Sequence, residues 1–134
     1  MKTFKALAAI AFFFILDGVS AQSVTDRWPA MKAFHDVMSR SFHPTEEGNF
    51  AVLKDNSATL MNKAMDLTKQ EIPHEFQTKA IMSSVQRLQE KTKEVNALVV
   101  SKATDAQLNK AIVEAHDIFH EIVGLCSAEK PHKH

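Results

Sequence analysis

The chain has 134 residues, its 16 Lys and Arg are balanced by 16 Asp and Glu, and its formal net charge is zero. This balance gives no electrostatic footprint for nucleic acid, so we expect no nucleic-acid partner. One cysteine excludes an internal disulfide framework, and a chain of this length is predicted to form one domain.

The N-terminal segment, residues 1–21, has the pattern of a secretory signal peptide. Two early lysines precede an unbroken apolar run at residues 6–16, and small residues at positions 19–21 supply a cleavage site. A membrane-spanning helix needs about 20 apolar residues, which is longer than this run. We therefore expect cleavage before Gln22, a periplasmic or secreted protein, and no stable membrane insertion after cleavage. An uncleaved N-terminal anchor is the alternative.

The remaining chain is predicted to contain one helical domain, residues 22–126, and a flexible tail, residues 127–134. Tyrosine is absent, glycine is sparse, and the alternation typical of strands is not seen. Four amphipathic segments with short links favour an all-α fold, an antiparallel up-down-up-down four-helix bundle.

Proline residues bound the first three predicted helices. Helix A is expected over about residues 26–43, and it stops there because Pro44 follows. Helix B covers about residues 50–69. The chain breaks at Pro73, and helix C covers about residues 78–101.

The fourth helix, helix D, has signals at both ends. Thr104 and Gln107 have the spacing of a capping box at its start. Its end is predicted near Val123, with Gly124 in the position that follows a helix. Cys126 is expected to be buried at the end of the apolar face, although a lone thiol is also compatible with metal ligation or with pairing in a homodimer.

The strongest functional signal is a set of histidines on the apolar faces of helices A and D. At about 100° per residue, His35 falls within about 60° of four large apolar residues of helix A. These are Trp28, Met31, Met38 and Phe42. His116 and His120 are four residues apart on the face of helix D that also carries Ile112, Val113, Phe119 and Val123. This spacing is a common source of two metal ligands.

If helices A and D are antiparallel neighbours, the levels of His35 and His120 differ by only about a turn. We therefore expect His35, His116 and His120 to converge in the core. Buried imidazoles need partners for their polar atoms, so this trio predicts a divalent transition metal as the partner. Imidazole ligands do not choose between zinc and copper.

Other polar residues are secondary candidates for this site. His43 is either a peripheral ligand, with Glu46 or Glu47, or a surface turn residue. An outer-shell acid could come from Asp36, Asp117 or Glu121, although the wheel points these away from the core. His74 is expected in a loop. His132 and His134 are expected in a solvated tail that could capture metal loosely.

The segment from His116 to His120 carries a family resemblance. The layout resembles cytochrome c prime and its four-helix relatives, in which the last helix carries a C-x-x-C-H haem-attachment motif and the first helix forms the opposite wall. The resemblance implies that His120 corresponds to the haem-ligating histidine and that Met31, His35 or Met38 lies opposite. His116 and Phe119 stand where the two cysteines would be, which removes covalent attachment.

Three functions are consistent with these patterns. The first is extracytoplasmic binding of zinc or copper. The second is non-covalent haem binding, as in soluble b-type cytochromes, with His120 axial and Met31 or His35 opposite. The third is a ligand-free structural or interaction module, in which the histidines pack or act as a pH switch. No nucleophile–base pair, phosphate loop or paired-carboxylate motif is present, so we expect no enzymatic activity.

Overall fold

The computed structural model describes residues 23–129, and all regular structure in that range is helical. This confirms the all-α class. The predicted signal peptide, Gln22, and the histidines of the tail lie outside the described residues. No helix in the described range is long and apolar enough to cross a membrane.

Four long helices form the domain. They are α1 (Pro29–Thr45), α2 (Ala51–Lys69), α3 (Lys79–Val100) and α4 (Asp105–Ala128). A short helical segment at residues 23–27 precedes α1, and a 3-10 helix, His74–Phe76, lies between α2 and α3. Each long helix packs against its neighbour in the chain, and α1 also contacts α4.

One apolar cluster connects the four helices and fills the centre of the domain. Its largest fully buried side chains include Trp28, Phe34, Phe76, Phe119, Met31 and Met38. The two methionines are therefore core residues, as the wheel predicted. Cys126 is also buried, as predicted from its place on the apolar face of the last helix.

The start of α4 follows the sequence prediction closely. The Thr104 hydroxyl accepts a hydrogen bond from the Gln107 backbone N–H at 3.2 Å, and the Gln107 side chain accepts one from the Thr104 backbone N–H at 3.0 Å. Both donors would otherwise be unsatisfied at the helix start. The capping box is thereby confirmed.

The end of α1 differs from the prediction. The helix was expected to stop at His43 before Pro44, but it continues to Thr45 with Pro44 inside its last turn. Burial of Thr45, whose hydroxyl also donates to the Phe42 carbonyl, offsets the cost of the proline. The chain then turns at Gly48, whose φ of +84° lies in the left-handed region that favours glycine.

The end of α4 also differs from the prediction. Gly124 was expected to follow the helix, but α4 continues through it to Ala128. A glycine inside a helix costs about 1 kcal/mol. Beyond it, Cys126 is fully buried and Leu125 packs against the core, so the extra turn buries apolar surface that offsets this cost. The helix therefore includes Ser127 and Ala128, which were assigned to the tail.

Candidate functional site

Four histidines lie along the surface boundary between α1 and α4. We call this boundary the histidine seam, and it consists of His35 and His43 from α1 and His116 and His120 from α4. His35 and His116 are half-buried, whereas His43 and His120 are exposed. The sequence prediction that helices A and D contact each other is confirmed.

Two histidine–phenylalanine stacks join the helices across the seam. The His35 ring of α1 stacks on Phe119 of α4, with ring centroids 5.2 Å apart and planes 15° from parallel. The His116 ring of α4 stacks on Phe42 of α1, with centroids 3.9 Å apart and planes 9° from parallel. Each helix thus supplies one imidazole and one phenyl ring, and the two half-buried imidazoles are held by aromatic packing.

The two histidines of α4 are in direct contact. The centroids of the His116 and His120 rings lie 4.4 Å apart, and their planes meet at 80°. The prediction that these residues share one helix face is confirmed. His120 also approaches Phe119 edge-on, at 5.5 Å between centroids. The pair therefore presents two imidazoles within one helical turn, one fixed by packing and one exposed.

His43 has a carboxylate partner at the end of α1. Its Nδ1–H donates to the Glu46 Oε1 at 3.2 Å, and both side chains are exposed. The His43 ring lies 6.0 Å from the Phe42 ring. His43 and His116 are therefore both neighbours of Phe42, one through the chain and one across the seam.

The other three seam histidines have no such partner. Within residues 23–129, the ring nitrogens of His35, His116 and His120 make no hydrogen bond to a protein group. Polar atoms that are partly withdrawn from water without a partner cost free energy. These nitrogens are therefore available to a ligand from outside the chain.

The surroundings of the half-buried histidines favour their neutral form. Burial, and to a smaller extent the neighbouring His120, lower the pKa of His116 to about 4, although Asp117 and Glu46 oppose the shift. Burial likewise lowers the pKa of His35, with Asp36 opposing the shift and His120 and His43 adding to it. At neutral pH both rings are uncharged, which is the state that can ligate a metal.

The predicted depth of the site is wrong. His35, His116 and His120 were expected to converge in the core, but they lie at its edge, and His120 is exposed. Around the axis of α4, the centre of the buried face lies about 80° from His116, in the direction of Cys126. His120 lies about 40° from His116 in the opposite direction, away from the core. The expectation counted Val113 as a core residue, and its exposed fraction is 36%.

The seam does not contain a preformed ligand shell. Among the described residues, no three His, Cys, Asp or Glu side chains are grouped so as to hold a metal ion. A metal bound at the seam would therefore need the exposed rings, His43 and His120, to turn. Such rotation is available to surface side chains, which exchange rotamers rapidly.

The other candidate ligands belong to different parts of the molecule. Glu121 pairs with Arg87 of α3, at 2.7 Å, and Asp36 pairs with Lys32, at 3.5 Å. Burial raises the pKa of the Cys126 thiol to about 12, which opposes the thiolate that a metal requires. These residues therefore do not extend the seam.

The haem alternative proposed either Met31 or His35 opposite His120. Met31 is fully buried in the core, His35 is half-buried, and His120 is exposed at the surface. The space between the two helices is occupied by Phe34 and Phe119, whose ring centroids lie 6.0 Å apart. A porphyrin held between His120 and Met31 would have to displace these rings.

Comparisons of the chain with protein-family models, with curated proteins and with solved structures found no match. The residues of the seam therefore carry the functional argument.

Proposed function

We propose that this protein binds a divalent transition metal, zinc or copper, outside the cytoplasm through the imidazoles of His116 and His120 in the histidine seam. The observation that carries the proposal is the contact between His116 and His120, 4.4 Å between ring centroids, with no hydrogen-bond partner for their nitrogens among residues 23–129. Two imidazoles four residues apart on a helix supply two ligands without backbone strain. The extracytoplasmic location rests on the signal-peptide pattern of residues 1–21.

We further propose that the helices form an antiparallel up-down-up-down bundle, in which the seam closes α1 against α4. The packing of each helix on its chain neighbour, and of the first on the last, supports this arrangement. So do the two stacks. Moving along α1 from His35 to Phe42, the partner on α4 changes from Phe119 back to His116.

The charge state of the seam suits metal capture. Metal binding to imidazole competes with protonation, and the lowered pKa of His116 removes that competition at neutral pH. The seam would contribute neutral nitrogen ligands, and water would complete the coordination. Zinc and copper both accept such ligands.

The direct test is calorimetric titration of the mature chain, beginning at Gln22, with zinc chloride and with copper chloride. Because His132 and His134 could bind metal independently, the reference protein carries His132→Ala and His134→Ala. We expect one ion per chain in this reference and at least a hundredfold weaker binding after adding His116→Ala and His120→Ala. His74→Ala removes an exposed histidine away from the seam and should leave affinity unchanged. Equal binding by the double variant and the reference would reject the seam as the site.

A further inference from the structure

We propose that the third protein ligand of this site is His43, coordinating through Nε2 and oriented by Glu46, and that His35 is not a ligand. This inference rests on the proposed metal-binding function and specifies its ligand set. It makes the metal a link between the end of α1 and the middle of α4.

The hydrogen bond between His43 and Glu46 selects the free nitrogen of His43. An ionised carboxylate can only accept, so the 3.2 Å contact places the proton of a neutral His43 ring on Nδ1. Nε2 is then the unprotonated nitrogen, which is the one that can ligate. A carboxylate on the distal nitrogen of a metal-bound histidine fixes its tautomer and orientation and increases its basicity.

The turn that carries this dyad has a defined backbone. The backbone N–H of Glu46 donates to the His43 carbonyl at 3.1 Å, and that of Glu47 donates to the Pro44 carbonyl at 3.0 Å. Proline fixes its own φ, so Pro44 restricts the chain between the histidine and the carboxylate. The backbone that carries the His43–Glu46 pair is therefore fixed, while the imidazole of His43 is exposed.

Phe42 connects His43 of α1 to His116 of α4. The Phe42 ring is stacked on His116 and is the chain neighbour of His43, whose ring lies 6.0 Å from it. Because the imidazoles of His43, His116 and His120 are not grouped in the described residues, a shared ion requires the exposed His43 and His120 rings to turn towards His116.

His35 is less suited to this task. Its ring is stacked on Phe119 at 5.2 Å and is half-buried, so turning towards His116 would give up that packing. The aromatic contact of His43 is with Phe42, whose ring plane is tilted by 58° from the imidazole, so the two rings are not stacked. The cost of reaching a shared ion is therefore smaller for His43.

Single substitutions separate the two candidates. In the reference protein without tail histidines, His43→Ala should weaken zinc binding at least tenfold, while His35→Ala should change it less than twofold. Circular dichroism and thermal melts would verify that both variants remain folded. If His35→Ala causes the larger loss, or if neither variant changes affinity, the assignment of His43 is wrong. If the reference itself binds no zinc or copper, the proposed function fails instead.

Glu46 is a positioning residue, and its neighbour provides a matched control. Glu46→Ala should weaken zinc binding about tenfold, the lower end of what such outer partners contribute. Glu47→Ala removes the same charge one residue away and should have little effect. Nitrogen-detected NMR should show the Nδ1–H tautomer of His43 in the metal-free reference and in Glu47→Ala, but a tautomer mixture in Glu46→Ala. Equal effects of the two substitutions on affinity and tautomer would reject an orienting role for Glu46.

Discussion

His116 of the last helix lies flat against Phe42 of the first, with ring centroids 3.9 Å apart and planes 9° from parallel. This contact removes one face of the imidazole from water. Desolvation penalises the charged form of histidine, and it is the largest cause of the lowered pKa of His116. One aromatic contact therefore joins α1 to α4 and also keeps a candidate ligand unprotonated.

The pKa of His116 can be measured by NMR titration of the metal-free protein. We expect a value of about 4 in the parent. Phe42→Ala should raise it towards the usual 6.5, because the ring becomes more hydrated. His74 is an exposed histidine on a different element and serves as the internal reference. A His116 pKa near 6.5 in the parent would show that the stack does not desolvate the ring.

The lowered pKa of His116 makes the stability of the fold depend on pH. Because the folded-state pKa of His116 lies below the unfolded value, the unfolded chain takes up the proton first as the pH falls. The His116 contribution to the free energy of unfolding is therefore complete above pH ~6.5 and declines between pH ~6.5 and ~4. His116→Ala should flatten the stability profile in that window, as measured by urea denaturation at several pH values.

Metal binding should stabilise the fold, because the unfolded chain does not hold the seam together. At a free metal concentration of ~100 times Kd, the stabilisation is ~2.7 kcal/mol. For a domain of this size it corresponds to an increase in Tm of roughly 10 °C. Scanning calorimetry of the reference protein with and without zinc would measure this increase. The His116→Ala/His120→Ala variant should show none, and a chelator should reverse the effect in the reference.

Local signals in the sequence predicted the helices well. The Thr104–Gln107 capping box involves residues three apart, so nothing beyond the sequence neighbourhood was needed to identify it. Proline and glycine were less reliable as signals of a helix end where the residues beyond them are packed into the core. Pro44 and Gly124 both lie inside helices, since Thr45 and Cys126 beyond them are buried against other elements.

The sequence predicted the contact between His116 and His120 but not the depth at which these residues lie. A helical wheel gives the direction of His116 and His120 correctly relative to each other, because their spacing is local. Whether that direction points into the core depends on where the neighbouring helices pack. A helical wheel of one segment carries no information on the positions of other helices. The partnership of His35 with Phe119, and of His116 with Phe42, is likewise a relation between distant parts of the chain.

Export can be tested directly on the chain expressed from its first residue in a bacterium. We expect N-terminal sequencing of the extracytoplasmic fraction to begin at Gln22, because residues 19–21 supply the small side chains that the cleavage site requires. Replacing Ala21 with Asp should block processing and leave a longer protein at the membrane. Recovery of the parent with Met1 intact and membrane-bound would instead identify the segment as an anchor.

Phe76 is a core residue that helical periodicity could not reveal, since it lies in the 3-10 helix between α2 and α3. It is fully buried, it stacks on Trp28 with centroids 5.6 Å apart, and the Arg27 guanidinium lies 4.7 Å from its ring. Phe76→Ala should therefore lower the free energy of unfolding by about 3–5 kcal/mol. Val100→Ala removes an apolar side chain that is 71% exposed and should change it by less than about 0.5 kcal/mol. Urea denaturation of both variants measures the difference, and similar losses in the two would show that Phe76 does not tie this connection to the core.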